Sequence, residues 1–163
     1  MPRNSNAKAK ELDPSDIPDG PDLMFEQLDG LLGYRLRRAQ GAMHRDYMAS
    51  VTGLDLTQKQ TATLWLINGN PGVSQVSIAA ALAMDRATMM AVVDRLEARG
   101  LVIRKRSSVD RRRQELYATP AGQTMLRKLK TRIEEHEVKF KALFKPAELA
   151  ALLAALQKFQ DLA

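Results

Sequence analysis

The chain has 163 residues, enough for one ordinary domain with a real core and too few for two of comfortable size. It contains no cysteine, which excludes disulfides, thiolate metal sites and thiol-based catalysis or sensing. Its two histidines, His44 and His136, do not make a multi-histidine metal cage, so neither a metal nor a cofactor is expected. The formal charge is +6, and no segment approaches the roughly 18 consecutive apolar residues of a membrane span. The N-terminal stretch lacks the apolar core of a secretory signal. The expectation is a cytoplasmic protein with no membrane partner.

The charge is concentrated rather than spread. Between Arg86 and Arg113 nine cations face only Asp94, Glu97 and Asp110, so this stretch alone carries +6. A solvated basic face and a polyanion-binding surface are both compatible with that concentration.

Residues 1–21 are polar, contain Pro2, Pro14, Pro18 and Pro21, and show neither helical nor strand period; the composition predicts a disordered tail. From Asp22, an N-cap candidate, the stripe Leu28, Leu32, Leu36, Ala39, Met43, Tyr47 predicts a long helix ending near Gly53. Thr57 caps a second helix carrying Leu64, Trp65 and Ile67. Asn68-Gly69-Asn70-Pro71-Gly72 breaks it. Ser74 caps a third, short helix with Val76, Ile78, Ala79 and Leu82. Asp85 caps a fourth with Met89, Val92, Val93 and Leu96, closed by Gly100 as its C′ glycine.

The period then changes. Leu101–Arg106 and Gln114–Ala118 read as two strands around a polar, basic tip from Ser107 to Arg113, a β-hairpin. Thr119-Pro120 is an N-cap followed by proline at N1. The helix it starts repeats every seven residues, Leu126, Ile133, Phe140 in one series and Leu129, His136, Leu143 in the other, a stripe suited to helix pairing, between two copies or back onto the same chain. Pro146 starts a last helix with Leu149, Leu152, Leu153, Leu156 and Phe159 on its apolar side. The order predicts a mainly α fold with a small β-hairpin: a winged helix-turn-helix, about 54–119, between long helices, about 22–52 and 120–162, in a single domain from 22 to 163. Such a motif lays its second helix in the major groove and brings the hairpin tip to phosphates or the minor groove. No glycine-rich phosphate loop, metal-ligand cluster or nucleophile–base arrangement points to an enzyme.

Three sets of residues carry a closer likeness: Leu56-Thr57-x-x-Gln60 with Gly72-x-Ser74; Asp94-Arg95-Leu96-Glu97-x-x-Gly100-Leu101-Val102-x-Arg104; and Asp110-x-Arg112-x-x-x-Leu116-x-x-Thr119-x-x-Gly122. In this order and spacing the chain resembles the MarR family of winged helix-turn-helix transcription regulators. The resemblance implies a homodimer on pseudo-palindromic double-stranded DNA, usually as a repressor. It implies that Ser74 and Gln75 donate to phosphate at the start of the positioning helix. The helix from Asp85 to Arg99 becomes the recognition helix, presenting Arg86, Ala87, Met90 and Ala91. The family often carries a cation or hydroxyl near the last two; here base readout would lean on Arg86 and on apolar contact with thymine methyls. Arg112 corresponds to the wing arginine that enters the minor groove, and Arg111 and Arg113 to backbone contacts. Asp110 braces a neighbouring arginine or forms the turn. Asp94-Arg95 pairs near the wing base, or Arg95 contacts phosphate. Arg99 and Lys105 read as solvated charges.

The family also responds to small aromatic acids in a pocket between its first, second and fifth helices. By that likeness Arg35, Arg38 and His44 are the candidate cations, with Tyr34 and Trp65 as walls, for an aromatic acid or its coenzyme A thioester. For Trp65 itself core packing is the first reading and the ligand wall the second. A ligand-independent or architectural DNA binder and a winged-helix protein-interaction module remain alternatives to a ligand-released regulator.

Overall fold

A computed structural model describes residues 28–107 and 113–162. In chain order the elements are α1 (Leu32–Ser50), α2 (Gln58–Gly69), α3 (Gln75–Ala81), α4 (Arg86–Ala98), β1 (Val102–Arg106), β2 (Gln114–Ala118), α5 (Pro120–Lys141) and α6 (Pro146–Gln160). This is the mainly helical winged helix-turn-helix that the sequence order predicts. Among the described residues no single helix is long and apolar enough to cross a membrane.

The backbone falls into two units, Met1–Asp46 and Tyr47–Ala163. In the first, the helix starts later than the apolar stripe suggests. A 3₁₀ turn at Leu28–Gly30 precedes α1, and Arg35 Nε donates to the Asp29 carbonyl at 2.7 Å. A side chain thus satisfies a carbonyl at the turn, where Gly30 and Gly33 offer little helix propensity. Asp22, the expected N-cap, lies outside the described residues.

In the second unit the start signals work as the sequence chemistry requires. Thr57 and Gln60 form a capping box on α2, Ser74 accepts from the Ser77 N–H on α3, and Asp85 accepts from the Thr88 N–H on α4 at 2.8 Å. Thr119 caps α5 with proline behind it. Each cap satisfies an N–H that the first helical turn leaves without a partner. The core gathers Leu64 and Ile67 of α2, Ile78 of α3, Met89, Val93 and Leu96 of α4, Val102 and Leu116 of the hairpin, and Leu126 and Leu129 of α5. Tyr47 closes one side, its hydroxyl donating to Thr61 Oγ1 at 2.7 Å and its ring meeting His136 edge-on at 6.0 Å. Burial pushes the Tyr47 phenol above its usual value.

The hairpin is antiparallel, pairing Val102 with Ala118 and Arg106 with Gln114. The chain before α3 joins it: Val73 bridges Leu116, so the wing carries a third backbone partner that periodicity did not signal. Leu126 and Leu129, read as part of a helix-pairing seam, pack into the chain's own core. Only the distal part of that stripe stays out, with Leu143 exposed. On α6, Leu152, Leu153 and Phe159 are exposed as well.

The wing returns into α5 through a tight junction. Gly100 takes φ +67°, a left-handed conformation that favours glycine. The Leu101 carbonyl accepts from the Thr119 N–H at 3.0 Å, and Thr119 Oγ1 donates to the Gly100 carbonyl at 2.6 Å. One turn later, a Cβ on Gly122 would collide with the Leu101 carbonyl oxygen and reach its carbonyl carbon at 3.0 Å. Alanine normally favours a helix over glycine by about 1 kcal/mol. Here the backbone collision reverses the sign, and Gly122→Ala is expected to destabilise the fold by about 1–3 kcal/mol, the usual cost of overpacking. Urea unfolding of the two proteins measures it.

Candidate nucleic-acid interface

Four of the side chains expected at DNA line one open cleft of about 540 Å³: Ser74, Gln75, Arg86 and Arg113, with Val76, Ala79, Met89 and Gln114. The sequence places them together for local reasons. Ser74 and Gln75 open α3 and Arg86 opens α4, so both helix N-termini, with their partial positive charge, border the cleft. Arg113 immediately precedes β2, and its carbonyl accepts from the Ser107 N–H at 3.0 Å across the hairpin. Two guanidinium groups, an amide and a hydroxyl beside two helix N-termini make a surface fit for phosphate oxygens.

On α4 the buried residues Met89, Val92, Val93 and Leu96 face the core. Arg86, Ala87, Met90, Ala91 and Arg95 lie on the exposed side, as the helical period predicts. Asp110, Arg111 and Arg112 lie outside the described residues.

Asp94 does pair near the wing base, but its partner is on the strand. Arg104 of β1 reaches Asp94 Oδ1 at 2.5 Å and also Glu97 of the same helix, and the Arg104 N–H donates to Glu97 at 3.3 Å. One planar guanidinium thus spans two carboxylates three residues apart on α4. Arg99, read as a solvated charge, instead donates to the carbonyls of Leu54, at 3.0 Å, and Asp55. It thereby fastens the end of α4 to the turn before α2. Lys105 is also engaged, its ammonium 5.0 Å from the Tyr117 ring centre.

A second network braces the wing from its inner side. The Tyr117 hydroxyl donates to Glu115 at 2.8 Å and lies over Gly72, 3.2 Å from where a Cβ would stand, and Gly72 itself takes φ +83°, which favours glycine. Hydrogen bonds from Ser107 and Tyr117, with the charge of Arg113 nearby, hold the Glu115 carboxyl below its usual range.

The ligand candidates fall in both units. Within the first unit, Tyr34, Arg35, Arg38 and His44 all lie on α1; the Arg38 guanidinium stands 5.8 Å from the Tyr34 ring centre, and Arg35 is drawn to Asp29. Within the second, Trp65 is 40% exposed, not core, and the Lys130 ammonium of α5 sits 4.5 Å from its ring centre. Beside that pair a groove of about 410 Å³ is lined by Asn68, Gln123, Leu126, Arg127 and Lys130. Lys130 and Arg127 were not signalled by the sequence reading: they sit on the outer side of the α5 heptad stripe, where cations are ordinary.

The Glu115 network makes a signed prediction. A carboxyl whose folded pKa is lowered stabilises the fold above its unfolded value and loses that contribution as pH falls through the folded one. Wild type should therefore be more stable than Glu115→Gln at pH 7, and the difference should shrink below about pH 4, near the ordinary glutamate value. Denaturant titrations at pH 7 and pH 3.5 read it.

Comparison with known proteins agrees with this geometry. A family model described as the MarR family matches residues 53–113. A transcriptional regulatory protein for the hcr operon of Thauera aromatica is 33% identical over 86% of this chain and 85% of its own length. The transcriptional repressor CouR bound to a 23-mer DNA duplex superposes with TM-score 0.80 at 35% identity, covering 86% of this chain and 99% of that one. The PcaV regulator of Streptomyces coelicolor, in complex with its natural ligand, superposes with TM-score 0.77 at 30% identity, covering 82% and 94%. On that identity, coverage and shared fold, the chain belongs to the MarR family of winged helix-turn-helix transcription regulators.

Proposed function

We propose that the protein is a cytoplasmic, non-enzymatic repressor that binds pseudo-palindromic duplex DNA as a homodimer and lets go when an anionic aromatic ligand binds. The observation that carries the DNA reading is the cleft in which Ser74, Gln75, Arg86 and Arg113 converge beside the exposed face of α4. In this reading Ser74 and Gln75 hold phosphate, Arg86, Ala87, Met90 and Ala91 face the base edges, and Arg95, Arg111 and Arg113 contact the backbone. Arg112 enters the minor groove, with Asp110 bracing the wing. CouR bound to a DNA duplex is the supporting likeness. The exposed Leu152, Leu153 and Phe159 of α6 support a second copy as the partner of that helix.

Two forms of DNA contact predict different responses. Arg111→Ala and Arg113→Ala should each flatten the dependence of log affinity on log salt by about 0.9, the release of one counterion. Arg112→Ala should weaken binding most where A·T-rich flanks narrow the minor groove. Fluorescence anisotropy over a salt series, with a footprint of two half-sites about 34 Å apart, measures both. Salt-dependent binding with no sequence preference would instead mean an architectural DNA binder.

For the ligand, likeness to CouR bound to p-coumaroyl-CoA and to PcaV with its natural ligand supports an aromatic acid or its coenzyme A thioester. Lys130 and Arg127 put two cations in one groove, and the Trp65 ring that Lys130 overlies stands beside it as an aromatic face. Tyr34, Arg35, Arg38 and His44 of α1 are the other candidates. Calorimetry with benzoate-, cinnamate- and protocatechuate-type acids and their thioesters should find a binder that lowers operator affinity about 5- to 150-fold, the usual range of such coupling. Lys130→Ala should weaken that ligand while leaving operator affinity in its absence unchanged. A panel with no binder, or a binder that leaves operator affinity unchanged, removes this part of the reading.

A further inference from the structure

The exposed strip of α4 is unusual in what it leaves available to a base. Ala87, Met90 and Ala91 lie at i, i+3 and i+4 on the exposed side, and Met90 is 53% exposed. The polar groups nearby are already engaged. The Thr88 hydroxyl donates to the Asp85 carboxylate at 2.6 Å, and that carboxylate also accepts the Thr88 N–H. The Asp94 carboxylate, one turn beyond Met90, is held by Arg104. The carboxylate nearest the strip thus already has a guanidinium partner on Oδ1, which weakens its pull on a cytosine amino group. What remains is an apolar patch with Arg86 at one end and Arg95 towards the other. Charge brings DNA to this face, and chemistry selects what the patch can recognise. In the major groove the apolar feature of a base pair is the methyl group on C5 of thymine.

We propose that Ala87, Met90 and Ala91 recognise a pyrimidine C5-methyl group as such. They should therefore accept 5-methylcytosine as well as thymine and discriminate against uracil and unmodified cytosine. This rests on the reading that α4 enters the major groove. A thioether on a flexible chain can settle on a methyl group from several approaches, and the two alanines allow the helix to come close. Because the patch offers no partner to the C4 substituent, it should tolerate exchange of the thymine carbonyl for the cytosine amino group while requiring the methyl.

The test uses a duplex selected from a random library by the full-length protein. Each thymine is replaced in turn by deoxyuridine, which removes one methyl and leaves every hydrogen-bonding group. One to three positions per half-site should lose about three- to fivefold in affinity, the value of about one buried methyl. At those positions a C·G pair carrying 5-methylcytosine should bind about three- to fivefold tighter than the unmethylated pair. In Met90→Ala at least one position should lose its uracil penalty. A protein that binds its selected duplex yet shows no uracil penalty overturns the proposal and leaves the DNA reading intact. So does a penalty that is the same in wild type and Met90→Ala. Failure to prefer any selected duplex over random DNA overturns both.

Discussion

Arg104 ties the first strand of the hairpin to α4. A winged helix-turn-helix must present a helix and a hairpin to different parts of the duplex at a fixed separation. The apolar core between them, built on Leu96, Val102 and Leu116, supplies most of the cohesion, but apolar burial is non-directional. Direction comes from the guanidinium of Arg104, which leaves the strand and grips Asp94 and Glu97 on α4. Its side chain is 18% exposed, but Asp94 is 56% and Glu97 38% exposed, so water still screens the charges and the gain lies in geometry more than in Coulomb energy. A lysine would bring the charge without the planar fork that reaches both carboxylates at once.

The same pairing shapes the field around the site. Asp94 and Glu97 are two of the three anions in the stretch between Arg86 and Arg113, and both are committed to a strand cation. Arg86 and Arg95 stay exposed on the helix with those carboxylates turned to Arg104. The surface offered to a polyanion is thus more positive than an even spread of charge along α4 would make it. A bond that ties strand to helix thus also engages the acceptor nearest the apolar strip of α4.

Much of this was legible because it is local. Helix caps at Thr57, Ser74, Asp85 and Thr119 are written within three residues, and the β-branched run before a basic tip marks the hairpin. The motif glycines were readable as positions, although their reasons differ: Gly100 takes a left-handed conformation, whereas Gly122 permits the approach of the Leu101 carbonyl. What escaped was long-range. Arg99 finds its carbonyls 44 and 45 residues earlier in the chain, and Trp65 meets a lysine on α5; no spacing rule announces either. Trp65 was ambiguous because it adjoins the buried Leu64 on α2, and an aromatic beside an apolar stripe can turn in or out. The heptad stripe of α5 misled in part for a related reason. A seven-residue period shows that one face is apolar, not what covers it, and Leu126 and Leu129 are covered by their own chain.

That last ambiguity separates the two ends of α5. Near its start the helix is pinned by Thr119 and Gly122 against the wing return, and its stripe is buried. Further on, Val138, Leu143 and Phe144 are exposed, and α6 continues with Leu152, Leu153 and Phe159. Apolar side chains scattered singly over a surface need no explanation, but a succession along two consecutive helices does. Fully covering a leucine or phenylalanine is worth about 1.5–3 kcal/mol, so leaving the set in water forgoes several such increments. A second copy, as proposed, would supply the cover and would lend α5 two roles. Its beginning would belong to the DNA-reading lobe and its end to the dimer, with no flexible linker between them. A change in how two copies pack would then be carried along a continuous helix to the Gly122–Leu101 junction, where the lack of room for even a methyl group leaves little slack to absorb it.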